Sequence, residues 1–263
     1  MSTEFPVRVP VVGTPISITT IEELLHLIDN RPADRATVVA FCNVHSVMTA
    51  RRRRDVADAL QDADVAAPDG MPVAWGLRAA GIRNQPRVDG PTFLQQALHH
   101  GLDHDWKHFF FGSSPDTLAM VIDQARSSVP DLSIVGSISP PFREPTDQDI
   151  AHAAEQIASS GADVVWVGLG MPKQELWMHR ARLHLPGVAL LGVGAAFDFI
   201  AGTTQRAPAW MQASGLEWLH RFSQEPRRLW RRYLVNNPLY MTLLARDIAV
   251  ARLFGKRSVE DAV

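Results

Sequence analysis

Short apolar runs alternate with longer amphipathic segments along most of this chain. The runs are almost continuously apolar, which is typical of strands buried on both faces of a parallel sheet. The predicted strands lie at residues 36–42, 64–68, 107–112, 131–137, 162–168 and 187–194. Helices are predicted between them, at about residues 45–62, 91–101 and 146–160 and from residues 72, 115 and 172 onward. Strands that alternate regularly with helices favour an α/β fold with a doubly wound, mainly parallel, Rossmann-like sheet.

Two helix beginnings carry capping signals. Thr20 and Glu23 stand in the spacing of a capping box just ahead of the apolar Leu24, which predicts a helix from about residue 21. Ser114 followed by Pro115 supplies an N-cap and a proline at the first helical position.

A basic segment begins near residue 210 and divides the predicted architecture in two. Residues 1–210 are expected to form the α/β domain, and residues 211–263 a basic helical appendage. Pro226 suits the start of an amphipathic helix, the sequence Asn-Asn-Pro at 236–238 is expected to break it, and a second helix is predicted at about 238–254. The arginines of the first helix have three open roles: contact with an anionic membrane surface, exposure to water on a packed helical pair, or binding of a diphosphate over the sheet edge.

Charge is distributed unevenly along the chain. Residues 219–257 contain nine Lys or Arg and two acids, a formal charge of +7, whereas the remainder carries −9 within a net charge of −2. A basic end on an acidic body points to an anionic partner for that end, and we expect no nucleic acid among the partners.

The sequence also predicts the compartment. Cys42 is the only cysteine, so there is no disulfide framework. The N-terminus has no apolar core of signal-peptide length, and no stretch reaches the roughly 18 apolar residues of a membrane span. We therefore expect a cytoplasmic protein.

A polar motif directly follows one of the most apolar predicted strands. The sequence GLGMPKQELW (168–177) begins where the strand at 162–168 ends. Open α/β sheets bind their ligands at the carboxyl ends of the strands. Lys173, Gln174 and Glu175 are therefore expected to lie where a ligand's phosphates or hydroxyls would be bound.

Several blocks of the sequence resemble the WecG/TagA/CpsF glycosyltransferase family. These blocks are Asn43, PDG (68–70), Arg87 in RVDG, SPPF (139–142), GLGMPKQELW (168–177), GVGAAFDFIAG (192–202) and RAPAWMQASGLEWLHRFSQEPRR (206–228). The last three are long and specific.

The resemblance implies an inverting glycosyltransferase of cell-surface polysaccharide or teichoic-acid synthesis. Such enzymes move a sugar from a UDP-sugar donor to a polyprenyl-diphosphate-linked acceptor without a metal or other cofactor. The sugar would be N-acetylmannosamine, its uronic acid or glucose. By the same resemblance, the α/β domain would bind the nucleotide sugar. The appendage would complete the site and hold the protein on the inner face of the cell membrane, and self-association is expected away from it.

The resemblance assigns Asp69 as the base that deprotonates the acceptor hydroxyl. The alternative is that Asp69 caps the helix beginning near Pro72. Arg87 would pair with a diphosphate, or else form a surface salt bridge. Gln174 would bind the donor's phosphate or sugar, or else face solvent in the first turn of its helix.

The remaining candidate contacts come from the other blocks. Asp198 resembles the family's nucleotide-contacting acid and Asn43 a second polar contact, although either could instead cap a local turn. Phe142 of the SPPF block is a candidate substrate-binding residue. The arginines proposed to neutralise the leaving diphosphate in place of a metal are Arg221, Arg227, Arg228 and Arg231.

The remaining signals give little support for metal or cofactor binding. The sequences Asp-Ala-Asp (62–64) and Asp-His-Asp (103–105) match a short metal-binding pattern, but solvated turn acids are favoured. The histidines show no ligand spacing, so no metal site is expected. Family members often carry a hydroxyl residue where this chain has Phe41, which leaves donor identity open. Two other classes remain as alternatives: a nicotinamide-dependent oxidoreductase, and a non-catalytic, nucleotide-sensing protein of the membrane surface.

Overall fold

The computed structural model describes residues 4–253, which form a central parallel sheet covered by helices on both faces. The strands are β1 (Arg8–Val11), β2 (Thr14–Ser17), β3 (Thr37–Cys42), β4 (Val65–Pro68), β5 (His108–Gly112), β6 (Ile134–Ile138), β7 (Val164–Gly168) and β8 (Ala189–Gly192). The helices are α1 (Ile21–Asp29), α2 (Val44–Ala50), α3 (Arg54–Asp62), α4 (Met71–Ala79), α5 (Gly90–Asp103), α6 (Pro115–Ser128), α7 (Asp147–Ser160), α8 (Lys173–Ala181), α9 (Ala196–Ile200), α10 (Ala209–Ala213), α11 (Glu217–Gln224), α12 (Pro226–Trp230) and α13 (Asn236–Leu253). A 3₁₀ turn (Arg182–His184) follows α8, and a π-helical segment (Arg231–Val235) joins α12 to α13.

Six strands form the sheet, in the order β4-β3-β8-β7-β5-β6, and each pairs in parallel with its neighbours. This confirms the predicted α/β class and all six predicted strands. The antiparallel hairpin of β1 and β2 lies outside this sheet and was not predicted. Because the six strands are parallel, the carboxyl ends of β3, β4, β7 and β8 meet at one edge, where the loops after them converge.

Apolar side chains fill the space on each face of the sheet. One core joins the strands to α1, α5, α6 and α9, with Phe93 and Phe197 nearly inaccessible to solvent. The other joins them to α2, α3, α4, α7, α8 and α13, and includes Trp177 and Tyr240. All the strands of the sheet except the edge strand β6 are therefore buried on both sides, which explains why their sequences are apolar without alternation.

The first helix begins as its sequence predicts. Thr20 accepts a hydrogen bond from the backbone N–H of Glu23, and the Glu23 carboxylate accepts one from the N–H of Thr20, so both bonds of the capping box are present. Ser114 likewise caps α6, with Pro115 at its first position.

Two helix boundaries differ from the prediction. The helix expected over 45–62 is two helices, α2 and α3, because Arg53 adopts an extended conformation between them. The predicted break at 236–238 is absent, since the chain continues from α12 through the π-helical segment into α13. In a regular α-helix the ring of Pro238 would clash with the carbonyl group four residues earlier, and that residue lies in the wider π-helical segment.

The C-terminal helices share a core with the α/β domain. Tyr240 on α13 is fully buried, and its hydroxyl donates to the carbonyl of Pro72, 3.0 Å away. Leu244 on the same helix is also buried. The division into residues 1–210 and 211–263 stays a prediction, and residues 254–263 of the appendage lie outside the described part of the chain. Among the described residues, no helix is long and apolar enough to cross a membrane.

One prediction concerns the close approach of β5 and β7 at their carboxyl ends. Gly112 has a φ of +127°, and a Cβ added there would lie 2.6 Å from the carbonyl carbon of Gly168. Because the obstructing atom belongs to the backbone, it cannot move aside. We expect Gly112→Ala to lower the free energy of unfolding by about 3 kcal/mol, measured by urea denaturation.

The control for this substitution is Gly202→Ala. Gly202 has a φ of +70°, but no heavy atom lies within 4 Å of an added Cβ. This variant should lose only about 1 kcal/mol, from backbone strain alone. Equal losses in the two variants would show that the contact between the strands is not the cause.

Candidate active site

A cleft of about 1640 Å³ lies at the carboxyl edge of the sheet. Its walls include the loops after β3, β4, β7 and β8, the segment 138–145, and residues of α11, α12 and the π-helical segment. Among the predicted site residues, those that line it are Asn43, Asp69, Arg87, Phe142, Gln174, Asp198, Arg221 and Arg228. The cleft therefore brings together residues that are far apart in the sequence.

Asp69 lies directly after β4. Its backbone N–H donates to the carbonyl of Cys42 at 2.9 Å, which holds it against the end of β3. The alternative role as a helix cap is wrong, because Gly70 occupies the N-cap of α4 and no side chain caps that helix. The Asp69 side chain instead accepts a hydrogen bond from the Asn43 amide, with Oδ2 and Nδ2 3.2 Å apart.

The carboxyl group of Asp69 has a perturbed acidity. Burial raises the pKa of Asp69 to about 6, because the charged form loses its hydration. Arg87 opposes this rise, whereas Asp89 and Glu217 add to it. Asp69 is thus a carboxylate at neutral pH with a far higher proton affinity than a solvated aspartate.

Asn43 has two functions. Its Oδ1 accepts from the backbone N–H groups of His45 and Ser46, at 3.0 and 3.3 Å, and so caps α2. Its Nδ2 is left to face Asp69. The capping alternative is therefore confirmed, and the cap also orients the amide towards the predicted base.

Arg87 belongs to a cluster of four charged side chains. It contacts Asp89 at 3.2 Å and Glu217 at 2.8 Å, and its side chain is only 11% exposed. Arg206 contacts the same two acids, at 2.5 and 3.7 Å. A surface salt bridge is therefore the wrong description of Arg87. Arg206 and Glu217 come from the 206–228 block and Asp89 from RVDG, but none of the three was identified from the sequence.

Gln174 is 4% exposed and hydrogen-bonded to protein at both ends of its amide. Oε1 accepts from the N–H of Gly170 at 3.2 Å, and Nε2 donates to the carbonyl of Gly192 at 2.7 Å. The alternative of a solvent-facing residue is wrong. Gln174 joins the loop after β7 to the end of β8, and a direct donor contact stays a prediction. Glu175, expected beside it, does not line the cleft, and burial raises its pKa to about 7.

Asp198 lies in α9 at the wall formed by the loop after β8. Burial raises its pKa, and Arg221 across the cleft opposes that shift, with 4.0 Å between the charged groups. Asp198 has no side-chain capping bond at the start of α9.

The predicted arginines separate into two groups. Arg221 and Arg228 line the cleft, whereas Arg227 and Arg231 do not. The Arg231 guanidinium lies over the ring of Trp230, 5.1 Å from its centroid. Arg232, which was not among the predicted ligands, lines the cleft instead. Its Nε is buried and has no hydrogen-bond partner among the described residues, and burial lowers the pKa of its guanidinium.

Two phenylalanines, Phe142 and Phe41, line the cleft. Phe142 is 92% exposed, and the Lys173 ammonium group lies 5.1 Å from the centroid of its ring. Phe41 is 4% exposed and packs against Phe93, so it serves the core where relatives often place a hydroxyl. His45 and Ser46, at the start of α2, also line the cleft.

The chain is similar to known glycosyl transferases. The model of the glycosyl transferase WecG/TagA/CpsF family matches residues 9–253. A protein of Bacillus subtilis (strain 168), named N-acetylglucosaminyldiphosphoundecaprenol N-acetyl-beta-D-mannosaminyltransferase, is 29% identical over 249 residues, which are 94% of this chain and 93% of the relative. A protein of the same name from Bacillus spizizenii (strain ATCC 23059 / NRRL B-14472 / W23) is 30% identical over 187 residues, 71% of this chain and 70% of the relative.

The pKa of Asp69 predicts how its replacement alters stability. The pKa of Asp69 in the folded state is raised above the ordinary 3.8, so the folded state favours the protonated carboxyl. The resulting stabilisation is fully present below about pH 4 and is lost as the pH rises through about 6. Asparagine has no charge to bury. We therefore expect the unfolding free energy of Asp69→Asn, relative to that of the wild type, to increase by about 2 kcal/mol as the pH is raised from 4 to 8. Urea denaturation at each pH measures this difference.

The control is Asp149→Asn, which should show the opposite sign. Hydrogen bonds from Arg143 and Thr146 hold the pKa of Asp149 well below its usual range. Its contribution is therefore present at pH 8 and is lost as the pH falls. A difference between wild type and Asp69→Asn that does not change with pH would show that Asp69 carries no buried charge.

Proposed function

We propose that this chain, which belongs to the WecG/TagA/CpsF family of glycosyl transferases, transfers N-acetylmannosamine from a UDP-linked donor to a polyprenyl-diphosphate-linked N-acetylglucosamine. The family makes the chain a glycosyltransferase of cell-envelope polysaccharide synthesis. Both relatives are named for an N-acetylmannosaminyl group and an N-acetylglucosaminyl-diphosphoundecaprenol acceptor, which supports these two sugars over the uronic acid and glucose.

The observation that carries the mechanism is the partly buried carboxylate of Asp69 on the cleft wall. A general base works best when its pKa is near the working pH, and burial brings the pKa of Asp69 to about 6. Asp69 takes the proton of the acceptor hydroxyl as the hydroxyl oxygen attacks the anomeric carbon. The bond from that carbon to the UDP oxygen breaks on the opposite side, so the configuration inverts.

The departing diphosphate needs positive charge to stabilise it. Arg221, Arg228 and Arg232 line the cleft and supply it, which supports catalysis without a metal ion. Arg87 is held between two acids and is less available for this purpose. Lys173 also lines the cleft and adds a further cation near Phe142.

A lipid-linked acceptor requires the cleft to reach a membrane surface. The C-terminal helices that supply the arginines also expose large apolar side chains, each more than two-fifths accessible: Trp230, Leu234, Val235, Leu239 and Met241. Apolar side chains beside arginines suit contact with an anionic bilayer. The proposal therefore includes peripheral attachment through α12, the π-helical segment and α13.

Family membership favours this function over the two alternatives. A nicotinamide-dependent oxidoreductase would also use a base, but the sequence contains no GxGxxG fingerprint for a dinucleotide. A nucleotide-sensing membrane protein would need no base in the cleft. The carboxylate of Asp69, oriented by the Asn43 amide on the cleft wall, supports a reaction in which a proton is removed there.

The experiment is a transfer assay by mass spectrometry, with a short-chain polyprenyl-diphosphate N-acetylglucosamine as acceptor. Donors are UDP-N-acetylmannosamine, its uronic acid and UDP-glucose. We expect the first to react best, and kcat/KM to rise with pH up to about pH 6 and then level off, because only ionised Asp69 accepts the proton. Asp69→Asn should lower kcat about 100-fold or more while UDP binding is retained.

The matched variant is Asp58→Asn, an exposed carboxylate that also lines the cleft. It should keep nearly full activity. Turnover by Asp69→Asn equal to that of the wild type would refute the base, and no transfer from any of the three donors by the wild type would refute the proposed substrates.

A second prediction compares neighbouring arginines. Arg232→Gln removes a cation that lines the cleft, so we expect kcat to fall about 100-fold and UDP to bind more weakly as a product inhibitor. Arg231 lies in the same helical turn but outside the cleft. Arg231→Gln should therefore hardly change transfer to a water-soluble acceptor. Equal losses in both variants would mean that the arginines act through membrane contact or folding, and not on the diphosphate.

A further inference from the structure

Three side chains that commonly bind metal ions meet at the sheet edge opposite the cleft. They are Asp29 at the end of α1, and His100 and His104 at the end of α5. One ligand atom from each lies within 4.8 Å of the other two. Helices in a parallel α/β fold run against their strands, so helix ends lie at the edge where strands begin. Accordingly, none of the three residues lines the cleft.

The distances fit a single metal ion. Asp29 Oδ2 lies 2.9 Å from His100 Nε2, and Asp29 Oδ1 lies 3.3 Å from His104 Nδ1. Two ligand atoms on one tetrahedral zinc ion are about 3.3 Å apart, given bonds of about 2.0 Å. The two imidazole rings stack with 4.0 Å between centroids and 15° between planes. Because a metal ion binds in the plane of an imidazole, one ring must rotate out of the stack for both to bind the same ion.

A further residue orients the carboxylate. The Trp106 Nε1–H donates to Asp29 Oδ1 at 3.1 Å, and the Trp106 ring packs edge-on against His100 at 5.0 Å. Trp106 is 4% exposed. Hydrogen bonds of this kind, which fix the direction of a ligand, are typical of metal sites in proteins.

We propose that Asp29, His100 and His104 bind a divalent transition-metal ion, with zinc as the reference ion. Two imidazoles and a carboxylate suit zinc and its neighbours in the first transition row, whereas magnesium and calcium prefer oxygen ligands throughout. His104 is the most exposed of the three side chains, at 45%, so a water molecule has access to the remaining coordination position. The ion would fasten the end of α1 to the end of α5.

This site could not be predicted from the sequence, because its ligands are far apart along the chain. Asp29 precedes His100 by 71 positions, and only the fold brings them together. The two histidines stand at the spacing of one helical turn, which alone is weak evidence for a metal site. The site is separate from the reaction proposed above, because none of its three residues lines the cleft.

The experiment is calorimetric titration of the full-length, tag-free chain, stripped with chelator, with zinc chloride alone. We expect one equivalent to bind the wild type, and cobalt(II) to give a visible absorption spectrum on binding. Magnesium should give no heat. His100→Asn and His104→Asn should each weaken zinc binding at least about tenfold and reduce the cobalt absorption.

The matched control is His99→Asn, which removes the exposed neighbouring histidine and should leave zinc binding unchanged. A thermal melt gives a second readout: the wild type and His99→Asn should gain about 5 °C at a hundredfold excess of zinc over Kd, and the other two variants less. Absence of zinc binding to the wild type, or equal weakening by all three substitutions, would overturn the proposal. Neither readout depends on sugar transfer.

Discussion

Two arginines and two carboxylates hold the C-terminal helices against the carboxyl edge of the sheet. Arg87 and Asp89 follow α4, whereas Arg206 and Glu217 belong to the segment that leads into α11, and each arginine contacts both acids. All four side chains are less than one-quarter exposed, so removing one charge would leave a partner poorly solvated. The cluster therefore determines where α11, α12 and the π-helical segment cross the cleft, and so which arginines enter it.

The pKa of Asp69 is raised chiefly by desolvation, and the same cluster determines how far Arg87 can oppose that rise. A free guanidinium beside a buried carboxyl would hold its pKa low and make it a poor base. Here the charge of Arg87 is balanced by Asp89 and Glu217, both of which raise the pKa of Asp69, so desolvation prevails. The structural ion pairs and the acidity of the proposed base are thus connected, and Asn43 adds a hydrogen bond that stabilises the ionised form of Asp69.

The sheet and much of the cleft could be predicted because their signals are local. A strand buried on both faces is apolar throughout, and a polar motif after it must lie at the carboxyl edge, as Gln174 does. Contacts between distant segments could not be predicted. The pairing of Arg206 with Asp89 spans 117 positions, and no local pattern reports it. The sequence also could not show that Arg232, and not Arg231, lines the cleft, because the π-helical segment changes the direction in which these side chains point.

The arginines of the cleft are incompletely paired by the protein itself. Arg228 pairs with Glu225, but Arg221 approaches an acid only at 4.0 Å, and Arg232 has an unpartnered buried Nε. Arg221 and Arg228 both lower the pKa of Arg232, which means that the three cations repel one another. A bound diphosphate would reduce that repulsion. Its binding and the packing of the C-terminal helices against the sheet edge would therefore stabilise each other. On this argument the cleft is most complete when donor and appendage are both in place. Under the proposed function, the helices that would contact the membrane are also the ones that supply arginines to the cleft.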